Sequence, residues 1–314
     1  MRRPDSGRHG PRARRPALLC AILLGLSLLP GFSRAEEEQA AVEPPRPFPE
    51  LGRLVGTAGV TSLEGAGGGG LVPWALITGY GSRNGFGANL HATGVRLTDF
   101  SLGATGLAVG VADRLELSYQ HQWFDTRGAG ARLGLGRGYT FEQDIFGAKL
   151  RLFGDAVADQ DRWWPQVSIG LQHKVSADRD VVRAVGARDA AGTDFYVAAT
   201  RLFLDAGLLV NGTLRLTRAN QFGLLGHGGD GHDGYTLQPE LSAALLVSRR
   251  VALGAEFRAR PDNLRFASEK ASFSAFAAWF AGHHLSVTLA YVDLGEVANQ
   301  GRQNGVYLSL QAVF

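Results

Sequence analysis

The chain has 314 residues, 43 of them glycine, with 12 prolines, one cysteine, 45 % hydrophobic side chains and a formal net charge of +3. After its first 35 residues no apolar run approaches the roughly 20 residues that a bilayer-spanning helix needs, which excludes a polytopic helical membrane protein. Nor does the charge argue for nucleic acid: those 35 residues hold seven of the 32 basic and one of the 29 acidic side chains, leaving 25 against 28, a net of −3.

The first stretch reads as a targeting sequence. Arg2, Arg3, Arg8, Arg12, Arg14 and Arg15 form a basic start, residues 17–29 an apolar core, and Pro30-Gly31 breaks it. Ser33-Arg34-Ala35 then places small residues where a signal peptidase cuts, so residues 1–35 are expected to be removed on export. Cys20 leaves with them, and the exported chain has no disulfide to rely on. Residues 36–50, acidic and then rich in proline (Pro44, Pro45, Pro47, Pro49), read as a periplasmic lead-in. Residues 51–314 read as one outer-membrane β-barrel domain.

From Arg53 onward, segments of period two follow one another. Strands are expected at 53–61, 72–80, 85–96, 99–111, 114–124, 141–153 and 163–175, then at 193–204, 208–219, 236–247, 250–260, 271–281, 284–292 and 305–314. That gives about 14, with 12 to 16 as the range, and an even count as in bacterial barrels. Long glycine- and charge-rich links (62–71, 125–140, 176–192, 220–235, 261–270, 293–304) follow odd strands, and tight ones (81–84, 112–113, 205–207, 248–249, 282–283) follow even strands. Only 97–98 and 154–162 depart from this rule. Short periplasmic turns and long external loops produce that asymmetry in an up-and-down antiparallel meander. An all-β chain of this length without covering helices must close on itself, so the expected fold is a transmembrane antiparallel β-barrel. Aromatics near strand ends, Trp74, Tyr80, Trp123, Trp163, Trp279 and Tyr307 among them, are expected in interfacial girdles.

The closing stretch shows the pattern most cleanly. Val306, Leu308, Leu310, Ala312 and Phe314 share one face, with Tyr307, Ser309 and Gln311 opposite. Tyr307, Leu308, Leu310, Ala312 and Phe314 resemble the closing-strand signal that outer-membrane assembly machinery reads. Other runs resemble a known family: residues 62–74 (SLEGAGGGGLVPW), 133–141 (LGLGRGYTF), 153–157 (FGDAV), 159–163 (DQDRW), 183–189 (RAVGARD), 219–226 (ANQFGLLG) and 260–264 (RPDNL). Together they resemble the bacterial family known as domain of unknown function 3034, over nearly the whole exported chain. The resemblance implies an outer-membrane protein and supplies no activity or site residue.

Candidate chemistry is sparse. His227, Asp230, His232 and Asp233 lie in one glycine-rich loop and are candidate metal ligands, although a tightly turning loop uses the same residues. The glycine runs 65–70 and 134–138 do not lie between a strand and a helix, so they are not phosphate loops. Charges on the polar strand faces should turn inward, because at the lipid midplane each costs about 2–4 kcal/mol. They are Glu116, Lys149, Arg151, Lys174, Arg201, Arg215, Glu240, Glu256, Arg258 and Arg260, seven of the ten basic. They form either a structural network or a water path with cationic bias. The expected function is a porin-like channel or passive transporter for small solutes. The alternative is a structural or surface-binding barrel acting through its long loops. Neither reading makes the protein an enzyme or requires a cofactor. Expected partners are outer-membrane lipid, the barrel assembly machinery, periplasmic chaperones and a small solute, but not nucleic acid.

Overall fold

A computed structural model describes Gly56, residues 60–81 and residues 85–314. The expected signal peptide (1–35) and lead-in (36–50) lie outside the described residues. Twelve strands form a closed barrel. They are β1 (Phe86–Leu97), β2 (Ser101–Val111), β3 (Leu115–Asp125), β4 (Thr140–Phe153), β5 (Gln166–Ser176) and β6 (Ala191–Phe203), followed by β7 (Leu208–Thr217), β8 (Thr236–Ser248), β9 (Val251–Arg258), β10 (Ser272–Phe280), β11 (Leu285–Glu296) and β12 (Arg302–Val313). Each pairs antiparallel with the next, and β12 closes on β1 from Gly305↔Leu97 to Val313↔Asn89. Closure leaves the wall with no unpaired edge, as hydrocarbon requires.

Period-two patterning decides which way each residue faces. In β10 (SFSAFAAWF) buried and exposed positions alternate at every residue. Leu90, Leu117, Leu214, Leu241, Leu253 and Leu310 are exposed on the outside, each about half accessible or more. A water-soluble monomer does not carry such a belt, whereas a lipid-facing wall is built from it. Leu308, Leu310 and Phe314 face outward, as expected, and Tyr307 is buried inward.

Links 126–139, 177–190, 218–235 and 259–271 are long and 112–114, 204–207, 249–250 and 281–284 tight, as expected. Links 98–100 and 154–165 depart from the rule, 293–304 is reduced to 297–301, and 62–71 lies in the lumen and is not a wall link. Between β2 and β3, Ala112 (φ 53°) and Asp113 (φ 50°) make a two-residue turn with both residues left-handed, the geometry that fits the twist of paired strands. The long links carry small elements: α1 (Ala129–Arg132), α2 (Arg179–Ala184), a 3₁₀ turn at Gln221–Gly223, and a short ladder of Ala187–Asp189 with His227–Gly229. They fold back over the barrel mouth, so that residues 220–229, expected in an open loop, are buried.

The described residues of the expected strands 53–61 and 72–80 (Gly56, 60–61 and 72–80) are not part of the wall, which is why the count is 12, at the lower end of the expected range. Residues 60–79 are all buried, and they run inside the lumen. Their own ladder is two residues long, Val60–Thr61 against Gly67–Gly68. Pro73 lacks the N–H that a central strand must donate. The glycines between Gly65 and Gly70 offer no side chain to lipid. Trp74 is accordingly buried inside rather than placed in a girdle, whereas Trp163 and Trp279 are exposed at the tight-turn end.

Candidate functional site

The lumen segment enters from the tight-turn end and reaches its tip at residues 62–66. It then returns to Tyr80, whose N–H donates to the Phe314 carbonyl (3.1 Å). The wall holds it by side chains bonded to its backbone. Thr200 Oγ1 accepts from Ala75 N–H (2.7 Å), while Gln166 Nε2 and Ser168 Oγ both donate to the Ala75 carbonyl (2.6 Å). Thr213 Oγ1 donates to the Pro73 carbonyl (2.9 Å), and Gln120 and Gln122 to that of Leu63. Glu116 accepts from the N–H groups of Gly67 (2.9 Å) and Thr78 (2.8 Å). Beside it Lys149 pairs with Glu116 (3.0 Å) and donates to the carbonyls of Gly67 and Leu76. Glu256 accepts from Leu71 N–H (2.9 Å), Val72 N–H (3.2 Å) and Ser274 Oγ (2.9 Å).

The glycine run makes this contact geometrically feasible. A Cβ at Gly69 would stand 2.0 Å from Glu256 Oε1, and one at Gly67 2.8 Å from Glu116 Oε2. Side chains there would push the segment off its carboxylates.

Near the segment's tip, five consecutive strands each contribute one charge, and the signs alternate around the wall: Lys174 on β5, Asp194 on β6, Arg215 on β7, Glu240 on β8, Arg258 on β9. Lys174 lies 2.7 Å from Asp194, Arg215 Nε 2.5 Å from Glu240, and Arg258 Nε 3.2 Å from Glu240. That arc holds three cations and two anions. The missing anion comes from the segment. Glu64 takes a two-pronged bond from Arg258 (2.7 and 3.0 Å), pairs with Lys174, and lies 3.5 Å from Arg215. All six groups are buried, so each depends on the others for the solvation that water would give.

Seven of the ten expected lumen charges therefore converge around the segment: Glu116, Lys149, Lys174, Arg215, Glu240, Glu256 and Arg258. The other three do not join them. Arg151 faces inward at the tight-turn end, where it pairs with Asp113 and Asp155. Arg260 sits at the opposite mouth, donating to the carbonyls of Lys270 and Leu294 (both 2.6 Å) and lying 3.4 Å from Glu269. Arg201 was expected inside but is on the outer face with Phe195, Val197 and Phe203. There its guanidinium lies over the Phe203 ring (5.1 Å) and reaches the Gln160 carbonyl at the rim. The expected cationic excess is not what the lumen shows. Lys149, Lys174, Arg215 and Arg258 meet Glu64, Glu116, Asp194, Glu240 and Glu256.

Above the tip, the long links form an apolar cap. It encloses a cavity of about 90 Å³, with Leu63 as its floor, Phe100, Phe124 and Phe141 in the wall, and Phe222 and Leu225 in the cap. Phe222 takes left-handed backbone (φ 62°), and its ring lies under both Arg258 (4.6 Å) and Arg260 (5.3 Å). Gln221 N–H donates to Glu269 (2.8 Å) and Asn263 Nδ2 to Asn220 Oδ1 (3.0 Å), which ties two links together. Burial pushes the Glu269 carboxyl up to about 7, although Arg260 opposes it.

The candidate metal loop does not assemble. His227 is fully buried, and burial pushes its imidazole down to about 4. Asp233 pairs with Arg218 (3.1 Å), Asp230 accepts from Arg265 N–H (3.0 Å), and His232 is exposed. Among the described residues no group of three or more His, Cys, Asp or Glu could hold a metal ion.

Fold and site together define an outer-membrane type of transmembrane β-barrel whose lumen is filled by the chain's own segment preceding β1. The chain belongs to the family described as "Protein of unknown function (DUF3034)", which matches residues 57–311. No curated protein matches it. Among solved structures it is similar to the KdgM porin (8 % identity, 72 % of this chain and 99 % of that one, TM-score 0.47). It is also similar to the COG4313 outer membrane channel from Pseudomonas putida F1 (11 %, 77 % and 96 %, TM-score 0.45). A third is outer membrane phospholipase A from Escherichia coli (9 %, 75 % and 94 %, TM-score 0.43).

Proposed function

We propose that the protein is a gated, porin-like passage for small solutes in the bacterial outer membrane, with residues 60–81 as the gate. The observation that carries this reading is how the segment is held. It fills the lumen without joining the wall's ladder, and the side-chain bonds that retain it are of a kind that water can replace. A wall strand could not leave without opening an edge, whereas this segment can. With Glu64 withdrawn, the lumen keeps four cations and four carboxylates, with one uncompensated cation in the arc near the tip. The test is to lock the gate. Thr61 Oγ1 donates to Asn89 Oδ1 across 3.1 Å, and Cys20 is the chain's one native cysteine. The double variant Thr61→Cys, Asn89→Cys should lose single-channel conductance in planar bilayers when oxidised and regain it on reduction. Unchanged conductance with the cross-link in place would reject the lumen as the path.

A second reading, a barrel that binds through its long links, is favoured by the apolar cavity under their cap. It would replace the first if a barrel deleted of residues 60–81 folds and still does not conduct.

Orientation follows from link lengths, with tight turns in the periplasm and long links outside. Single cysteines at the exposed Arg188 or Asp230 should react with a membrane-impermeant maleimide on intact cells, and those at Asp205 or Arg249 should not. Labelling at the tight turns would invert the barrel.

A further inference from the structure

The proposed gate carries, at its tip, a chemical group that a solute could imitate. Three cations from three different strands converge on one carboxylate, that of Glu64, and Arg258 grips it through both oxygens (2.7 and 3.0 Å). A two-pronged guanidinium–carboxylate contact is a recognition geometry as much as a structural one. The arc supplies only Asp194 and Glu240 of its own, so the position taken by Glu64 is a standing vacancy for one anion.

What borders that position narrows the anion's chemistry. Leu63, next to Glu64, is the floor of the cavity of about 90 Å³, which Phe100, Phe124 and Phe222 also line. Phe222 belongs to both places, since its ring stacks under the guanidinium of Arg258 (4.6 Å). A benzene-binding apolar cavity is of order 150 Å³, so the smaller space here suits a short alkyl chain as it stands and one ring once the gate's tip yields. Carboxylate site and apolar space thus adjoin, as the two ends of one small amphipathic acid would require.

We propose that residues Lys174, Arg215 and Arg258 form the binding site for a small monocarboxylate with an apolar body, and that Glu64 is its built-in competitor. The incoming carboxylate takes the three cations from Glu64, its body lies in the cavity against Leu63 and Phe222, and the gate's tip is released. Charge in the arc is conserved in the exchange, because one carboxylate replaces another. A neutral solute would leave three cations facing two anions in a buried place, and a solute with two carboxylates would bring one too many. The substrate class rests on the gated-passage reading. The site itself does not, because occupancy can be read on a barrel that conducts nothing.

Chemical rescue tests it. Purified Glu64→Ala barrel is heated in detergent, and its unfolding midpoint is followed by the mobility shift of heat-modifiable barrels. Benzoate should raise the midpoint of Glu64→Ala by several degrees. It should raise that of the unmodified barrel at a concentration at least tenfold higher, since there it must displace Glu64. Acetate, which lacks the body, should need about tenfold more than benzoate, and benzyl alcohol, which lacks the charge, should not rescue. Rescue by benzoate should disappear in Glu64→Ala, Arg258→Gln. Equal rescue by benzyl alcohol, or none by any carboxylate, would overturn the proposal. If Glu64→Ala does not fold by itself, the same ligands are added during refolding, and a yield that benzoate leaves unchanged would overturn it equally. The locked-gate conductance experiment can fail while this one succeeds, and the reverse, so the two readings are separable.

Discussion

Glu64→Gln is expected to destabilise the folded barrel by about 3–5 kcal/mol, the range found when one partner of a buried ion network is removed and the others stay. The amide keeps the size and shape of the side chain, so packing is nearly unchanged. It removes the charge that balances Lys174, Arg215 and Arg258, none of which can reach water. Urea titration of the barrel in lipid vesicles, followed by tryptophan fluorescence, measures the loss. Asp161→Asn, an exposed carboxylate at the tight-turn end, should change stability by less than about 0.5 kcal/mol and serves as the control. A Glu64→Gln value as small as the control's would mean that the arc is solvated in life and that the segment is held by its backbone bonds alone.

Gly69→Val is expected to leave the wall folded and empty the lumen. Any Cβ at this position would lie 2.0 Å from Glu256 Oε1, and the valine methyls would enlarge the clash. Overpacking of a well-filled interior costs about 1–3 kcal/mol. Here the segment has an outlet that a core residue lacks, because it can withdraw. In planar bilayers the variant should therefore open more often or stay open, with heat-modifiability intact. Gly94→Val, on the outer face of β1 with nothing within 4 Å of its Cβ position, should behave as the parent does. A closed Gly69→Val barrel that folds normally would show that the segment adapts in place, and the gate would have to be sought elsewhere.

The wall was legible in the sequence and the lumen segment was not, for a shared reason. Period two reports which faces differ, not what a strand pairs with. Residues 250–260 and 305–314 alternate cleanly because one face meets lipid and the other meets polar groups, so β9 and β12 could be placed within two or three residues. The alternation at 60–61 and 72–79 has another origin, since both sides of that segment are enclosed. Two signals marked it, Pro73 inside an expected strand and a stretch from 54 to 81 whose only charge is Glu64. A lone carboxylate in such a run should have raised the question of where its countercharge lay. Asp194 was missed on different grounds. In β6 the inward Asp194, Tyr196, Ala198, Thr200 and Leu202 include large apolar groups, and the outward row includes Arg201, so polarity did not separate the faces. The runs that carry the family resemblance collect largely where the wall is not. Residues 62–74 are the lumen segment, while 219–226 and 260–264 meet in the cap through Asn220 and Asn263.

The Phe314 carbonyl accepts two hydrogen bonds, from Ala88 N–H in β1 (2.9 Å) and from Tyr80 N–H at the foot of the lumen segment (3.1 Å). The seam that turns a sheet into a cylinder and the point where the inner segment is tethered therefore share one oxygen atom. During biogenesis, the sheet cannot complete that seam without also forming the seat for Tyr80. In the proposed passage, closing the cylinder and seating the segment would be one step, so that a new copy would enter the membrane already shut. In the proposed gate the segment would pivot about this shared oxygen, so that the passage would open and shut without loosening the wall around it.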